Sequence, residues 1–258
     1  MENLARILIS ILISINIFGG YTVNAAVFNY LISDDLLEKQ KIAIKKFEEL
    51  LAEPKTKPTQ QDLINASVQL IIDTPKSREL GSGTVLKCER NKDDKKFTCY
   101  VLTVAHLFSG FDKSSKLRIG DLVDGKVLII NKGADLALVS VQSSRPLSSA
   151  HLAPRDFKPF IGDKVIQIGY PQGKAVSILT GKREHKVSAV NRYLGSGTIE
   201  CSLEPIEGRS GGGLFLERTG EQIGVCSVRE PSEQRGIYAS LEEIYKMLEG
   251  TKYDFLLE

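Results

Sequence analysis

The sequence predicts an all-β body closed by one C-terminal helix, and three observations carry that expectation. Short runs rich in β-branched residues recur along the chain. Gly, Asp, Asn and Pro separate them at intervals typical of a sandwich or a barrel. At Ser240-Leu241-Glu242-Glu243 the pattern changes to a capping box followed by apolar residues at helical spacing.

The expected strands include Val68–Ile72, Cys99–Val104, Lys126–Ile130, Leu136–Val141 and Lys164–Ile168. Periodicity alone leaves a sandwich and a barrel both open. In the closing helix, about 241–249, Leu241, Ile244, Tyr245 and Leu248 share one face, and Gly250 is a natural stop.

The N-terminus reads as a targeting segment. After Arg6, residues 7–18 are mostly Ile and Leu, and Val23-Asn24-Ala25 fits the small-residue pattern of a signal-peptidase site. The run is short for a membrane span, so residues 1–25 are expected to be a cleaved signal that sends the chain out of the cytoplasm, to a periplasmic or secreted location. Retention as a membrane anchor is the alternative. Residues 26–60 form a separate segment: Ser33 caps an expected helix with Leu37, Ile44, Phe47 and Leu51 on one side, and Pro54–Pro58 reads as a linker. That apolar side either docks on the body or supports self-association into a homo-oligomer.

Export makes the four cysteines interpretable. Cys88 and Cys99 flank the polar turn Asn91-Lys92-Asp93-Asp94, and a hairpin centred there sets them opposite each other, as a cross-strand disulfide requires. Cys201 and Cys226 read equally as a second bridge or as free core thiols. No cysteine clusters with histidine at metal-ligand spacing, so no zinc or other metal is expected.

Three further stretches carry chemistry. Leu102-Thr103-Val104-Ala105-His106, Ala134-Asp135-Leu136-Ala137-Leu138 and Gly208-Arg209-Ser210-Gly211-Gly212 each end or interrupt an apolar run, in the chain order His, Asp, Ser. A serine hydroxyl is a weak nucleophile at neutral pH. It needs an imidazole to take its proton and a carboxylate to fix that imidazole's tautomer. The glycines around Ser210 allow the tight turn that aims backbone N–H groups at a developing oxyanion, with Gly208 and Ser210 as the expected donors. Singly, each stretch also reads as a core histidine, a strand-end cap and an ordinary loop. Gly208–Gly212 also matches the Gly-x-Ser-x-Gly elbow of α/β-hydrolases. The chain order and the lack of alternating helices exclude that fold.

Taken with their surroundings, these residues resemble the trypsin-like serine peptidases, and among them the HtrA-like branch. Gly81-Ser82-Gly83-Thr84-Val85 is similar to the glycine-rich strand entry upstream of the histidine, and residues 163–173 to the strand and turn that open the second barrel. Ile223–Ser227 and Gly236–Ala239 resemble the two strands beside the primary specificity pocket. The resemblance implies two packed antiparallel β-barrels, about 66–145 and 160–240, within a peptidase domain spanning 61–258. It implies a catalytic triad of His106, Asp135 and Ser210 in the cleft between the barrels. It also implies substrate-binding positions at Glu204, Ser227, Arg229 and Gly236. Their opposing charges leave the preferred substrate residue open.

The family resemblance further implies that N-terminal contacts could build trimers. HtrA proteins commonly carry a peptide-binding PDZ domain after the protease, and none is expected here. Arg209 stands where activated digestive peptidases place an Asp that pairs with a new N-terminal amine. An arginine cannot accept that proton, so activation by a freed N-terminus is not expected.

Composition bounds the remaining choices. The net charge of +2 gives no support for nucleic-acid binding, and the lysine clusters are interleaved with acids. After loss of the signal about 230 residues remain, enough for one two-barrel unit. The expected activity is that of an exported serine endopeptidase on protein or peptide substrates, needing no cofactor. A catalytically inactive binding module on the same fold is the alternative.

Overall fold

The computed structural model describes residues 57–171, 182–193, 195–202, 205–230 and 235–257. The expected signal, the helix predicted after Ser33 and most of the linker lie outside the described residues, as does Glu204.

Among the described residues, twelve strands form two antiparallel sheets. The first contains β1 (Ser67–Asp73), β2 (Arg78–Arg90), β3 (Phe97–Thr103), β4 (Lys116–Ile119), β5 (Lys126–Asn131) and β6 (Leu136–Ser143), in the order β4-β1-β2-β3-β6-β5. The second contains β7 (Lys164–Ile168), β8 (Lys182–Tyr193), β9 (Ser196–Cys201), β10 (Gly213–Leu216), β11 (Gln222–Glu230) and β12 (Arg235–Ser240). These close into a barrel, β10-β11-β12-β9-β8-β7. The molecule is thus mostly β, a six-stranded half-barrel beside a closed six-stranded barrel.

The strands form where the sequence can fill both faces of a sheet. Leu136–Val141 is buried residue after residue, because β6 lies between β3 and β5 with its two faces covered. The long β2 bends at a bulge between Val85 and Lys87, which lets one strand pair with both β1 and β3. Past the bulge, Cys88 and Cys99 are direct register partners and form a disulfide, with Cα atoms 4.0 Å apart. Cys201 and Cys226 are free and buried in the second barrel.

Among the described residues, two α-helices flank the sheets. α1 (Gln60–Asn65) lies between the expected linker and the expected strand Val68–Ile72, where no helix was predicted. It starts at a capping box in which Thr59 and Asp62 exchange hydrogen bonds, and it buries Leu63 and Ile64 against Ile166, Ile168 and Phe215. α2 (Leu241–Leu248) starts at the expected residue, but its capping box is not made, and the Ser240 side chain makes no cap hydrogen bond. Glu243, the expected box partner, instead accepts the Gly197 N–H at 3.1 Å and tethers α2 to β9. Leu241 and Tyr245 pack into the second barrel's core, and Ile244, Met247 and Leu248 into the first sheet's core. The tail after α2 continues onto the first sheet, where Phe255 packs edge-on to Tyr100 at 5.3 Å and Lys87 donates to the Phe255 carbonyl at 3.1 Å.

Candidate active site

His106 follows directly from the buried end of β3. Val104 is fully buried, and Leu107 and Phe108 pack inward within a short 3-10 turn, which leaves the His106 side chain half exposed at the cleft. Asp135 precedes β6 with φ at 52°, a left-handed conformation that Asp tolerates better than most residues. Its turn is held by Ala134 N–H donating to Asn131 Oδ1 and by Ser196 Oγ donating to the Gly133 carbonyl at 2.7 Å.

That conformation lets both carboxylate oxygens of Asp135 work. Oδ1 accepts the His106 backbone N–H at 2.8 Å, and Oδ2 lies 2.8 Å from His106 Nδ1. A carboxylate can only accept, so Nδ1 carries the proton and Nε2 is left as the base. The Ser227 hydroxyl also donates to Oδ2, at 2.5 Å. Burial pushes the Asp135 carboxyl upward, but the bonds and charge of His106 and the Ser227 hydroxyl outweigh it and hold the group below the usual carboxylate range.

Ser210 faces the same cleft, on a turn that leads into β10. No hydrogen bond joins its Oγ to His106 among the described residues, a separation common before substrate tightens such a site. The turn exists because glycine permits it. Gly208 and Gly211 have φ of 86° and 88°, and a Cβ at Gly211 would lie 2.0 Å from the Ser82 carbonyl oxygen. Among the described residues neither Gly208 N–H nor Ser210 N–H donates to a backbone carbonyl, whereas Arg209, Gly211 and Gly212 N–H all do. Two amides are therefore left uncommitted on the Ser210 turn.

Arg209 points the opposite way. Its side chain is buried in the second barrel and donates from Nη1 to Gln167 Oε1 at 3.2 Å. Cys226 lies beside this pair. Burial pushes its thiol up to about 12, with Arg209 and Gln167 opposing the shift. The position that takes a carboxylate in activated digestive peptidases is thus filled by an internally anchored cation.

The cleft is a cavity of about 490 Å³ lined by His106, Asp135, Ser210 and Ser227, by the charged Lys132 and Glu207, and by small or apolar residues such as Thr198, Ile206, Ile237 and Ala239. Of the expected substrate-binding residues, Ser227 is at the cleft but also bonds to Asp135. Gly236 lies on β12 opposite Cys201 and Arg229, on the face it shares with Tyr238, while Ile237 and Ala239 are the β12 residues lining the cavity. The backbone of Arg229 lies in β11; its side chain is outside the described residues. Further along the same face of β9 and β12, Glu200 is paired with Arg235 and nearly buried. The Ser227–Asp135 bond and the Ser196 tie were not legible in the sequence, because each joins residues that only the pairing of distant strands brings together.

A cleft between two β sheets, with an Asp-His pair from one and a serine turn from the other, defines a trypsin-like architecture. The family model for the trypsin-like peptidase domain matches residues 81–225, and the chain belongs to that family. Among curated proteins it is similar to the putative protease Do-like 14 of Arabidopsis thaliana, 29% identical over 196 residues that cover 68% of this chain and 42% of that protein. The chain therefore spans well under half the length of that relative.

Solved structures show the same fold. The active form of the Rv3671c protease from M. tuberculosis matches with a TM-score of 0.60 and 19% identity, covering 74% of this chain and 83% of that one. The HtrA-type protease AlgW with a tripeptide matches with a TM-score of 0.57 and 19% identity, covering 73% and 62%. A serine endoprotease from Yersinia pestis matches with a TM-score of 0.55 and 21% identity, covering 78% and 67%.

Proposed function

We propose that the protein is a serine endopeptidase that cleaves protein or peptide substrates through an acyl-enzyme. The observation that carries this reading is the hydrogen-bonded Asp135–His106 pair in one cleft with Ser210, whose turn leaves two backbone N–H groups uncommitted. Ser210 Oγ attacks the scissile carbonyl carbon as its proton passes to His106 Nε2. The carbonyl oxygen becomes an oxyanion beside the Gly208 and Ser210 N–H groups. The C–N bond then breaks, His106 gives its proton to the departing amine, and the acyl group stays on Ser210. Water repeats the sequence with His106 as base, releasing the acid and restoring the hydroxyl.

Glu204 and Arg229 remain the proposed substrate contacts beside Ser227, whereas on β12 the cleft is lined by Ile237 and Ala239 rather than Gly236. The Cys88–Cys99 disulfide supports action in an oxidising compartment outside the cytoplasm, as the N-terminal segment suggests. The direct test is labelling by a fluorophosphonate. Wild-type protein is expected to take up one equivalent on Ser210, and Ser210→Ala none. A folded wild-type protein that stays unlabelled contradicts the proposal.

A further inference from the structure

β2 brings Ser82 out of the first sheet against the turn that carries Ser210. The residue is fully buried, and every polar atom it has is committed. Its N–H donates to the Ser210 carbonyl at 2.7 Å, and its hydroxyl donates to the Gly208 carbonyl at 2.7 Å. The same hydroxyl accepts the Tyr170 N–H at 2.8 Å, and the Ser82 carbonyl accepts the Thr103 hydroxyl at 2.7 Å. Ser82 thus ties together the strand before His106, the end of β7 and the serine turn.

The two carbonyls it holds bracket Arg209, whose own carbonyl accepts Gly212 N–H at 2.9 Å. All three consecutive carbonyls from Gly208 to Ser210 are therefore anchored. A trans peptide points its N–H opposite to its carbonyl, so anchoring the Arg209 carbonyl directs the Ser210 N–H. Anchoring the Gly208 carbonyl fixes the peptide plane that follows Gly208. The Gly208 N–H belongs to the preceding Glu207–Gly208 peptide, which turns only through ψ of Glu207 and φ of Gly208, so a fixed plane after Gly208 holds one of its two pivots. A main-chain N–H to Ser210 could come from almost any residue at position 82. The grip on Gly208 needs a side-chain donor short enough to fit a closed site, where Gly211 and Gly169 already crowd Ser82.

We infer that the Ser82 hydroxyl is a positioning group for the oxyanion site, holding the Gly208–Ser210 backbone in the form that presents both N–H groups to the cleft. The inference rests on Ser210 acting as the nucleophile. A displaced donor is costly where charge develops only in the transition state, so the loss falls on kcat and leaves KM unchanged.

The experiment compares wild type, Ser82→Ala and Ser82→Cys in peptide hydrolysis, and measures amide hydrogen exchange of Arg209 and Gly212 by NMR. Ser82→Ala is expected to lower kcat by about 10- to 100-fold at unchanged KM and to speed exchange at both amides. Ser82→Cys keeps a weak donor at the same place and is expected to recover part of kcat. Wild-type kcat in Ser82→Ala overturns the inference, as does a loss in which KM rises with the fall in kcat and Cys recovers nothing, which marks a packing role. If the wild type itself neither hydrolyses peptide nor labels at Ser210, the peptidase reading fails. Exchange then decides separately whether Ser82 holds the turn: unchanged rates at Arg209 and Gly212 overturn that too.

Discussion

Asp135 shows how one side chain organises the cleft: its two oxygens hold both the backbone and the ring of His106, and Ser227 steadies the carboxylate from the other barrel. Asp135→Asn keeps the shape but replaces one acceptor by a donor, which turns the imidazole to the wrong tautomer. It is expected to lower kcat by about ten-thousand-fold, measured against wild type on one peptide. The same residue sets a sign for acid stability. Its folded carboxyl sits below the ordinary range, so its contribution is complete above the unfolded value and is lost as pH falls through the lower folded value. Denaturant titrations across that acid window are expected to show wild type losing stability more steeply than Asp135→Asn; equal slopes would contradict this. His106, Asp135 and Ser210 were legible because each is punctuation in an apolar run. Ser227's bond to Asp135 was not, since nothing in its spacing tells which distant turn its strand will face.

At the scale of elements, strands whose residues alternate or run apolar were readable, with edges shifted by a residue or two, as in β1 and β3. β4, β8, β9, β10 and α1 were not among the expected elements; in β4, β10 and α1, four residues, or six residues beside prolines, give too little period to count. The capping box at Ser240 had the right letters, but Glu243 found a better acceptor role with Gly197. The β2–β3 hairpin is where sequence and structure agree most closely, with Cys88 opposite Cys99. Opening that link with Cys88→Ser/Cys99→Ser is expected to cost about 3 kcal/mol in urea unfolding with the fold retained. An unchanged midpoint would show that the hairpin is fixed by pairing alone.

At the scale of the molecule, the candidate site depends on how a half-barrel and a closed barrel meet. Ser82 reaches from the first sheet to the serine turn, Ser196 and Ser227 reach from the second barrel to the Asp135 turn, and α2 shares its apolar face between both cores. None of these ties is a local pattern, so two barrels came into view through family resemblance, while the strands themselves came from residue chemistry. Arg209 is the residue whose meaning changed most. As a sequence feature it carried the expectation that a new N-terminus does not activate the chain; in the fold it anchors the turn inward through Gln167. The most direct test of the whole account is to trap the acyl-enzyme, by acid-quenching the protein milliseconds after mixing with an activated peptide ester and mapping the adduct by mass spectrometry. The acyl group is expected on Ser210, and none in Ser210→Ala. An adduct on another residue, or turnover that persists in Ser210→Ala, would contradict it.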